Sequence, residues 1–195
     1  IPVYNQFDYT YSCVKSILNR TGDVTYEIII ANDCSTDITK EIEKVIENIR
    51  LVTTEKNVRF LLNCNHASKY VRGKYILFLN NDTQVQQNWL RPLVSLIESD
   101  QQIGMVGSKL IYPDGLLQEA GGIIWKDASA WNYGNRKHPE NSEYNYVKEA
   151  DYISGASIMI RKELWENIGG FDERYSPAYC EDSDLAFEIR KRGFK

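Results

Sequence analysis

Apolar and polar positions alternate along the first half of the chain in blocks rather than residue by residue. Residues 27–31, EIIIA, form a short β-branched run, too short for a helix and apolar throughout, like a strand covered on both faces. The polar string NDCSTD follows. Ile38, Ile42, Val45, Ile46 and Ile49 then recur at the spacing of one helical face, with Lys and Glu filling the other. The predicted unit is strand, polar loop, helix, and it repeats. Residues 65–71 read as the end of a helix, Gly73 as its stop and 74–79 as a second buried strand, with Asn80, Asn81 and Asp82 directly after it. Leu90, Leu93, Val94 and Ile97 mark a further helical face, and a strand is predicted over 105–112. Such alternation implies an α/β chain with an open, largely parallel sheet flanked by helices.

Beyond Tyr112 the pattern changes. Pro113, Asp114 and Gly115 are a strong turn signal between two apolar runs, and GGIIW at 121–125 predicts a hairpin or another antiparallel excursion. Residues 126–148 are polar, aromatic-rich and aperiodic, which predicts a long surface loop. A strand-like run over 152–160 leads to a short helix over 163–168, the turn Gly169-Gly170 and a final helix over 183–192.

Composition narrows the possibilities. At 195 residues, with 43% hydrophobic and 26% charged positions, the chain has the size and mix of one globular domain. Its net charge of -4 argues against nucleic acid or an anionic membrane as the main partner, so any phosphate binding must be local. The longest apolar stretch, YILFL, falls far short of the roughly 20 residues that span a bilayer. Ile1 opens into an apolar run with no charged leader, so no secretory signal is predicted. Cys13, Cys34, Cys64 and Cys180 are scattered without a C-x-x-C pair, and the only histidines are His66 and His138. Zinc-site and disulfide-framework readings therefore both fail, and a reducing cytoplasm is the expected compartment. Because Ile1 falls within a strand and RGFK stops where another would begin, residues 1–195 are expected to be a single domain excised from a longer chain and lacking its C-terminal part.

In open α/β sheets, ligands bind beyond the carboxyl ends of the strands. Asn32-Asp33 and Asn80-Asn81-Asp82 both sit at such ends. If their strands are neighbours, one carboxylate and amide can read a nucleoside while a second carboxylate holds a divalent ion against a diphosphate. The plainer reading is that Ser35, Thr36 and Asp37 cap a helix and 81–83 form a turn. Glu181, Asp182 and Asp184 form a third acidic cluster at the start of the last helix. There the helix dipole favours carboxylates in any case, and a general base is the functional alternative. Gly155, Gly169 and Gly170 either admit an acceptor close to the backbone or simply make turns. Trp125, Trp131 and Tyr133 either stack on a sugar or, as is commoner, cover the core. His66 is expected to pack or face solvent rather than bind a ligand, and the basic knot Arg136-Lys137-His138 to be a solvated charge run.

Six segments in order resemble glycosyltransferases of family 2, and more narrowly the bacterial rhamnosyltransferase type. They are IPVYN at 1–5, EIIIANDCSTD at 27–37, NVRF at 57–60 with Asn65, GKYILFLNNDT at 73–83, SGASIMIRKELWENIGGFDE at 154–173 and EDSDLAFEIRKRG at 181–193. The resemblance implies a GT-A fold: a Rossmann-like, mostly parallel central sheet flanked by helices, with an antiparallel hairpin excursion. It implies that Pro2, Tyr4 and Asp33 surround a nucleoside, with Asp33 accepting the base ring N–H. It puts NND, residues 80–82, in the position of the family's DXD motif, so that Asn81 and Asp82 lie by the ribose and the metal-bound diphosphate, with Asp82 the metal ligand and Asn80 among the nucleotide-binding residues. It makes Asp182 the base that activates the acceptor, supported by Glu181. The implied cofactor is Mn or Mg, bound together with the diphosphate. The implied partners are a UDP- or dTDP-linked sugar donor and a glycan or lipid-linked acceptor, with no nucleic acid, and the implied reaction is inverting transfer in cell-surface polysaccharide synthesis. Association with the inner face of the cytoplasmic membrane would come only through further parts of the protein, as would the histidine that many relatives use as a metal ligand, which would lie beyond Lys195. A non-catalytic nucleotide-sugar or glycan-binding module is the alternative. A nucleotidyltransferase is the second alternative, disfavoured because no Gly-rich phosphate loop with a basic residue follows the first strand. Three positions depart from the family pattern: Asn32 replaces a frequent Asp, and Cys34 and Arg59 replace frequent Gly.

Overall fold

The computed structural model describes residues 1–22 and 24–195. Strands β1 (Pro2–Val3), β2 (Ile28–Asn32) and β3 (Ile49–Thr53) form one parallel sheet with β2 in the middle, in register Ala31 against Pro2 and Val52. β4 (Tyr75–Leu79), β5 (Met105–Gly107) and β10 (Ser157–Arg161) form a second sheet, in which β10 lies antiparallel between the other two. The sheet direction is thus more mixed than strand–helix alternation predicts, because β10 follows the hairpin excursion and re-enters the sheet from the opposite end. Helices α1 (Phe7–Arg20), α2 (Arg59–Ser68), α3 (Leu90–Ser99), α4 (Lys162–Ile168) and α5 (Glu181–Lys191) cover the sheets. None of the described helices is long and apolar enough to cross a membrane.

The excursion comprises two hairpins. β6 (Leu110–Ile111) pairs with β7 (Leu117–Glu119) across the predicted 113–115 turn, and β8 (Gly122–Ile124) pairs with β9 (Ala130–Asn132). The predicted single strand over 105–112 is therefore two strands that serve different sheets. The long loop over 126–148 contains β9 and a 3₁₀ turn, Ser142–Tyr144. Gly122 bridges Tyr152, and a Cβ there would lie 2.0 Å from the Tyr152 ring, so only glycine allows this approach.

The helix expected over the isoleucine stripe is corrected. Ile38–Lys44 is a 3₁₀ segment broken at Glu41, and Ile49 opens β3. Ile42 and Ile46 are buried as the stripe requires, but Ile38 and Val45 face solvent. β-Branched residues are weak helix formers, and pairing Ile49 with Ile28 in the parallel ladder gives the end of the stripe a better use as strand. The last helix begins at Glu181 rather than at 183.

One core gathers α2, β4, β10, α4 and α5 around Phe78, Trp165 and Phe171, whose ring centroids lie 4.7 to 5.4 Å apart. Asn65 braces it by exchanging two hydrogen bonds with the Phe171 backbone, its Nδ2 donating at 2.8 Å and its Oδ1 accepting at 2.9 Å. A second core packs α1 and the 3₁₀ segment on β1 and β2 through Val3, Val14, Ile17, Ile30 and Ile42. With both faces covered, the polar residues at the strand ends are what remains for chemistry.

Candidate active site

Asp33 follows β2 and is 3% exposed. Its amide donates to the Val3 carbonyl at 2.8 Å, tying it to β1. Its Oδ1 accepts from the Val58 amide at 2.7 Å and the Thr54 hydroxyl at 3.1 Å, and its Oδ2 from the Arg59 amide at 2.8 Å. The carboxylate therefore caps the start of α2, while Asp37 caps the 3₁₀ segment as expected of the 35–37 cluster, accepting from the Thr39 amide at 2.9 Å. A carboxylate has about four acceptor positions, so roughly one remains for a ligand N–H.

The segment after β1 is clamped onto the loop after β2. The Asn5 amide donates to Ser35 Oγ at 2.8 Å, and Asn5 Oδ1 accepts from the Thr36 and Asp37 amides at 2.7 and 3.2 Å. Pro2 is buried in β1 and Tyr4 is half exposed between them. The two departures at glycine positions share a cause: Cys34 has φ 57° and Arg59 φ 70°, the left-handed region in which glycine is the unstrained choice. The Arg59 side chain faces solvent.

Asn80, Asn81 and Asp82 turn out of β4. Asn80 donates its amide to the Ala156 carbonyl at 3.0 Å, and its own carbonyl accepts from Thr83 Oγ1 at 2.7 Å. Asn81 Nδ2 donates to Thr10 Oγ1 of α1 at 3.0 Å. Asp82 is exposed. Among the described residues no three His, Cys, Asp or Glu side chains are grouped to hold a metal. That donor set suits only an ion that keeps water and takes phosphate oxygens beside a single carboxylate, which is how Mg²⁺-type ions commonly bind nucleotides.

Asp182 lies half-buried in the first turn of α5. Oδ2 accepts from the Gly155 amide at 3.1 Å and Oδ1 from the Ser183 amide at 2.7 Å. The loop that holds Asp182 through Gly155 thus holds Asn80 through Ala156, the next residue. Glu181 beside it is 7% exposed, its Oε2 has no hydrogen-bond partner among the described residues, and burial, helped by the Asp182 charge, pushes its carboxyl above the usual range.

Sequence reading missed Glu119. It is 1% exposed, its Oε1 accepts from the Ser154 amide at 3.3 Å, and burial, with the Asp182 charge acting in the same direction, pushes its carboxyl up to about 7. Strand parity was the available signal, since Glu119 shares a face of β7 with the fully buried Leu117.

Trp125 and Trp131 do not cover the core but stand on the outer face of the β8–β9 hairpin, 53% and 65% exposed. Tyr133 meets Tyr144 edge to face at 5.2 Å. His66 packs against Tyr70, and Arg136 forms an ion pair with Asp114 at 2.6 Å. Gly169 and Gly170, at φ 94° and 90°, end α4. An apolar cavity of about 380 Å³ lies between β2 and β4, but neither Asp33, Asp82 nor Asp182 lines it, so it is not the polar cleft.

The family model described as glycosyl transferase family 2 matches residues 1–168. The chain belongs to that family. It is 28% identical over its whole length to the O-antigen biosynthesis protein RfbC of Myxococcus xanthus, of which it covers 16%. It is 27% identical, over 89% of its length, to the minor teichoic acid biosynthesis protein GgaB of Bacillus subtilis, of which it covers 19%. The chain thus spans a fraction of the length of these relatives. Its fold is that of solved GT-A enzymes. GalNAc-T7, solved with UDP, GalNAc and Mn²⁺, superposes on the whole chain with a TM-score of 0.78 at 16% identity, the chain covering 40% of it. The Pyrobaculum calidifontis mannosyltransferase PcManGT, solved with GDP-Man and Mn²⁺, does so with a TM-score of 0.68 at 18% identity, the chain covering 51% of it.

Proposed function

We propose that this family 2 domain transfers a sugar from a uridine or thymidine diphosphate donor to a hydroxyl of a glycan or lipid-linked acceptor, with inversion, in cell-surface polysaccharide synthesis. The observation that carries the reading is the Gly155–Ala156 link, which joins the carboxylate of Asp182 to the NND turn. A base and a diphosphate site must face each other across one reacting carbon, and a shared loop fixes that spacing.

On this reading Asp33 uses its remaining acceptor position for the ring N–H of a pyrimidine dione, with Pro2 and Tyr4 beside the nucleoside. Asn81 lies by the ribose, with Asn80 among the nucleotide-binding residues. Asp82, alone among the NND side chains in carrying charge, holds a divalent ion together with the diphosphate. When bound, that ion offsets the charge that builds on the departing diphosphate. Asp182 has both oxygens engaged by amides yet keeps free lone pairs, and the N-terminus of α5 favours its negative charge. It accepts the proton of the acceptor hydroxyl as that oxygen attacks the anomeric carbon from the face opposite the leaving group. The fold of the Mn²⁺-bound neighbours and the polysaccharide-synthesis relatives support this assignment.

A panel of nucleoside diphosphate sugars, screened against the full-length protein by thermal shift with manganese or with chelator, tests it. A sugar nucleotide of uridine or thymidine is expected to raise the melting temperature most, and to do so with manganese. A protein that no sugar nucleotide stabilises is not a transferase of this kind, and one that is stabilised but never releases the nucleoside diphosphate is a binding module.

A further inference from the structure

We propose that Glu119 is a positioning residue for Asp182: from β7 it grips the Ser154 amide while Asp182 grips the next amide, Gly155, so that acids from two distant elements fix the loop they share. The inference rests on the reading of Asp182 as the base. Ser154 donates to Glu119 Oε1 at 3.3 Å, Gly155 to Asp182 Oδ2 at 3.1 Å, and Ala156 accepts from Asn80 at 3.0 Å. Three consecutive residues thus connect the excursion, the last helix and the NND turn.

Glu119 is an expensive way to hold a loop. Burying a carboxylate is costly, and burying it near a second carboxylate adds to the cost, so a neutral side chain would serve a purely structural role better. Glu119 cannot be the base itself, because at 1% exposure no acceptor hydroxyl reaches it. The groups that face it are the Ser154 amide from the loop, Asp182 from α5 and the Tyr152 phenol, which Glu119 and Asp182 both push upward after burial. Glu181 and Cys180 stand one step behind, beside Asp182 and Tyr152 respectively. Burial keeps the Glu119 proton on up to about pH 7, so its loss there favours any opening of the loop that hydrates the carboxylate, and the loop loosens as pH rises.

Hydrogen exchange of the 152–157 segment in the full-length protein, followed by mass spectrometry and corrected for intrinsic rates, reads this directly. In the parent, protection is expected to fall about tenfold as pH increases through roughly 7. Glu119→Gln should flatten that dependence. Asp182→Asn should keep it but move its midpoint to lower pH, since the Asp182 charge is part of what holds the Glu119 proton. Protection independent of pH in the parent overturns the inference even if Glu119→Gln fails to fold, and so does a dependence that survives in a folded Glu119→Gln. The transfer assay of Asp182→Asn is a separate readout. Its failure to lose activity refutes the base, whereas lost activity with an unresponsive 152–157 segment refutes only the positioning role.

Discussion

The amide of Gly155 donates to Oδ2 of Asp182 at 3.1 Å, and the carbonyl of the next residue, Ala156, accepts from the amide of Asn80. Asp182 lies on α5, close to the end of the chain, and Asn80 lies just after β4. Neither residue's position is set by its own local sequence alone. Backbone bonds made by the loop ahead of β10 bring them together, and the antiparallel insertion of β10 beside β4 puts that loop there.

The role of Asp33 predicts a base preference. Uridine or thymidine diphosphate is expected to bind tighter than adenosine or guanosine diphosphate by calorimetry, and Asp33→Asn to erode the difference. Asn is preferable to Ala, because losing the cap on α2 would itself destabilise the fold by about 1 kcal/mol. Equal affinity for all four nucleotides would remove the base-reading role.

Metal and nucleotide are expected to bind as a unit. With Asp82 the single charged side chain of the NND turn, manganese alone should bind weakly, and nucleoside diphosphate affinity should fall on adding chelator. Asp82→Asn should make affinity nearly insensitive to the metal. An affinity in the parent that is the same with manganese and with chelator contradicts the role given to Asp82.

Glu119 makes stability depend on pH. Its carboxyl holds a proton in the folded state up to about 7, against 4.5 as an ordinary side chain, so between these values the folded state binds more protons than the unfolded one. Stability from this group is complete below the lower value and is lost as pH rises through the upper, by about 3 kcal/mol. Glu119→Gln should therefore melt higher relative to the parent at about pH 8 than at about pH 5. A difference that stays constant across pH would show that Glu119 ionises normally in the fold.

Much of this was legible in sequence because buried strands and their polar ends are local signals. YILFL followed by NND, and EIIIA followed by NDCSTD, predict both strands and both polar turns without tertiary information. The isoleucine stripe misled because its last member belongs to β3, a strand selected by its pairing with Ile28 and not by its own pattern. Trp125 and Trp131 misled because their exposure depends on which face of a two-stranded hairpin meets the core. Glu119 was hidden because a glutamate between Leu117 and a glycine pair reads as a polar hairpin residue. Its parity with the buried Leu117 on β7 was the signal that it turns inward.

The cysteines should react in order of exposure. Cys180 is exposed and Cys34 partly so, while burial raises the Cys13 thiol and pushes that of Cys64 up to about 12. Alkylation of the native protein, read by peptide mass spectrometry, is expected to label Cys180 first and Cys34 next, with Cys13 and Cys64 labelled only on unfolding. Early labelling of Cys64 would contradict the packing of α2 against the sheet.

The measurement that bears most directly on the site is transfer by Asp182→Asn in the full-length protein, with donor affinity measured in parallel. Asn keeps the shape and an acceptor for the Gly155 amide but cannot take the acceptor's proton. Turnover is expected to fall by about 10²–10⁴-fold while nucleoside diphosphate affinity changes little. Near-parent turnover in Asp182→Asn, with turnover abolished instead by Glu181→Gln, would contradict the assignment and move the base to Glu181.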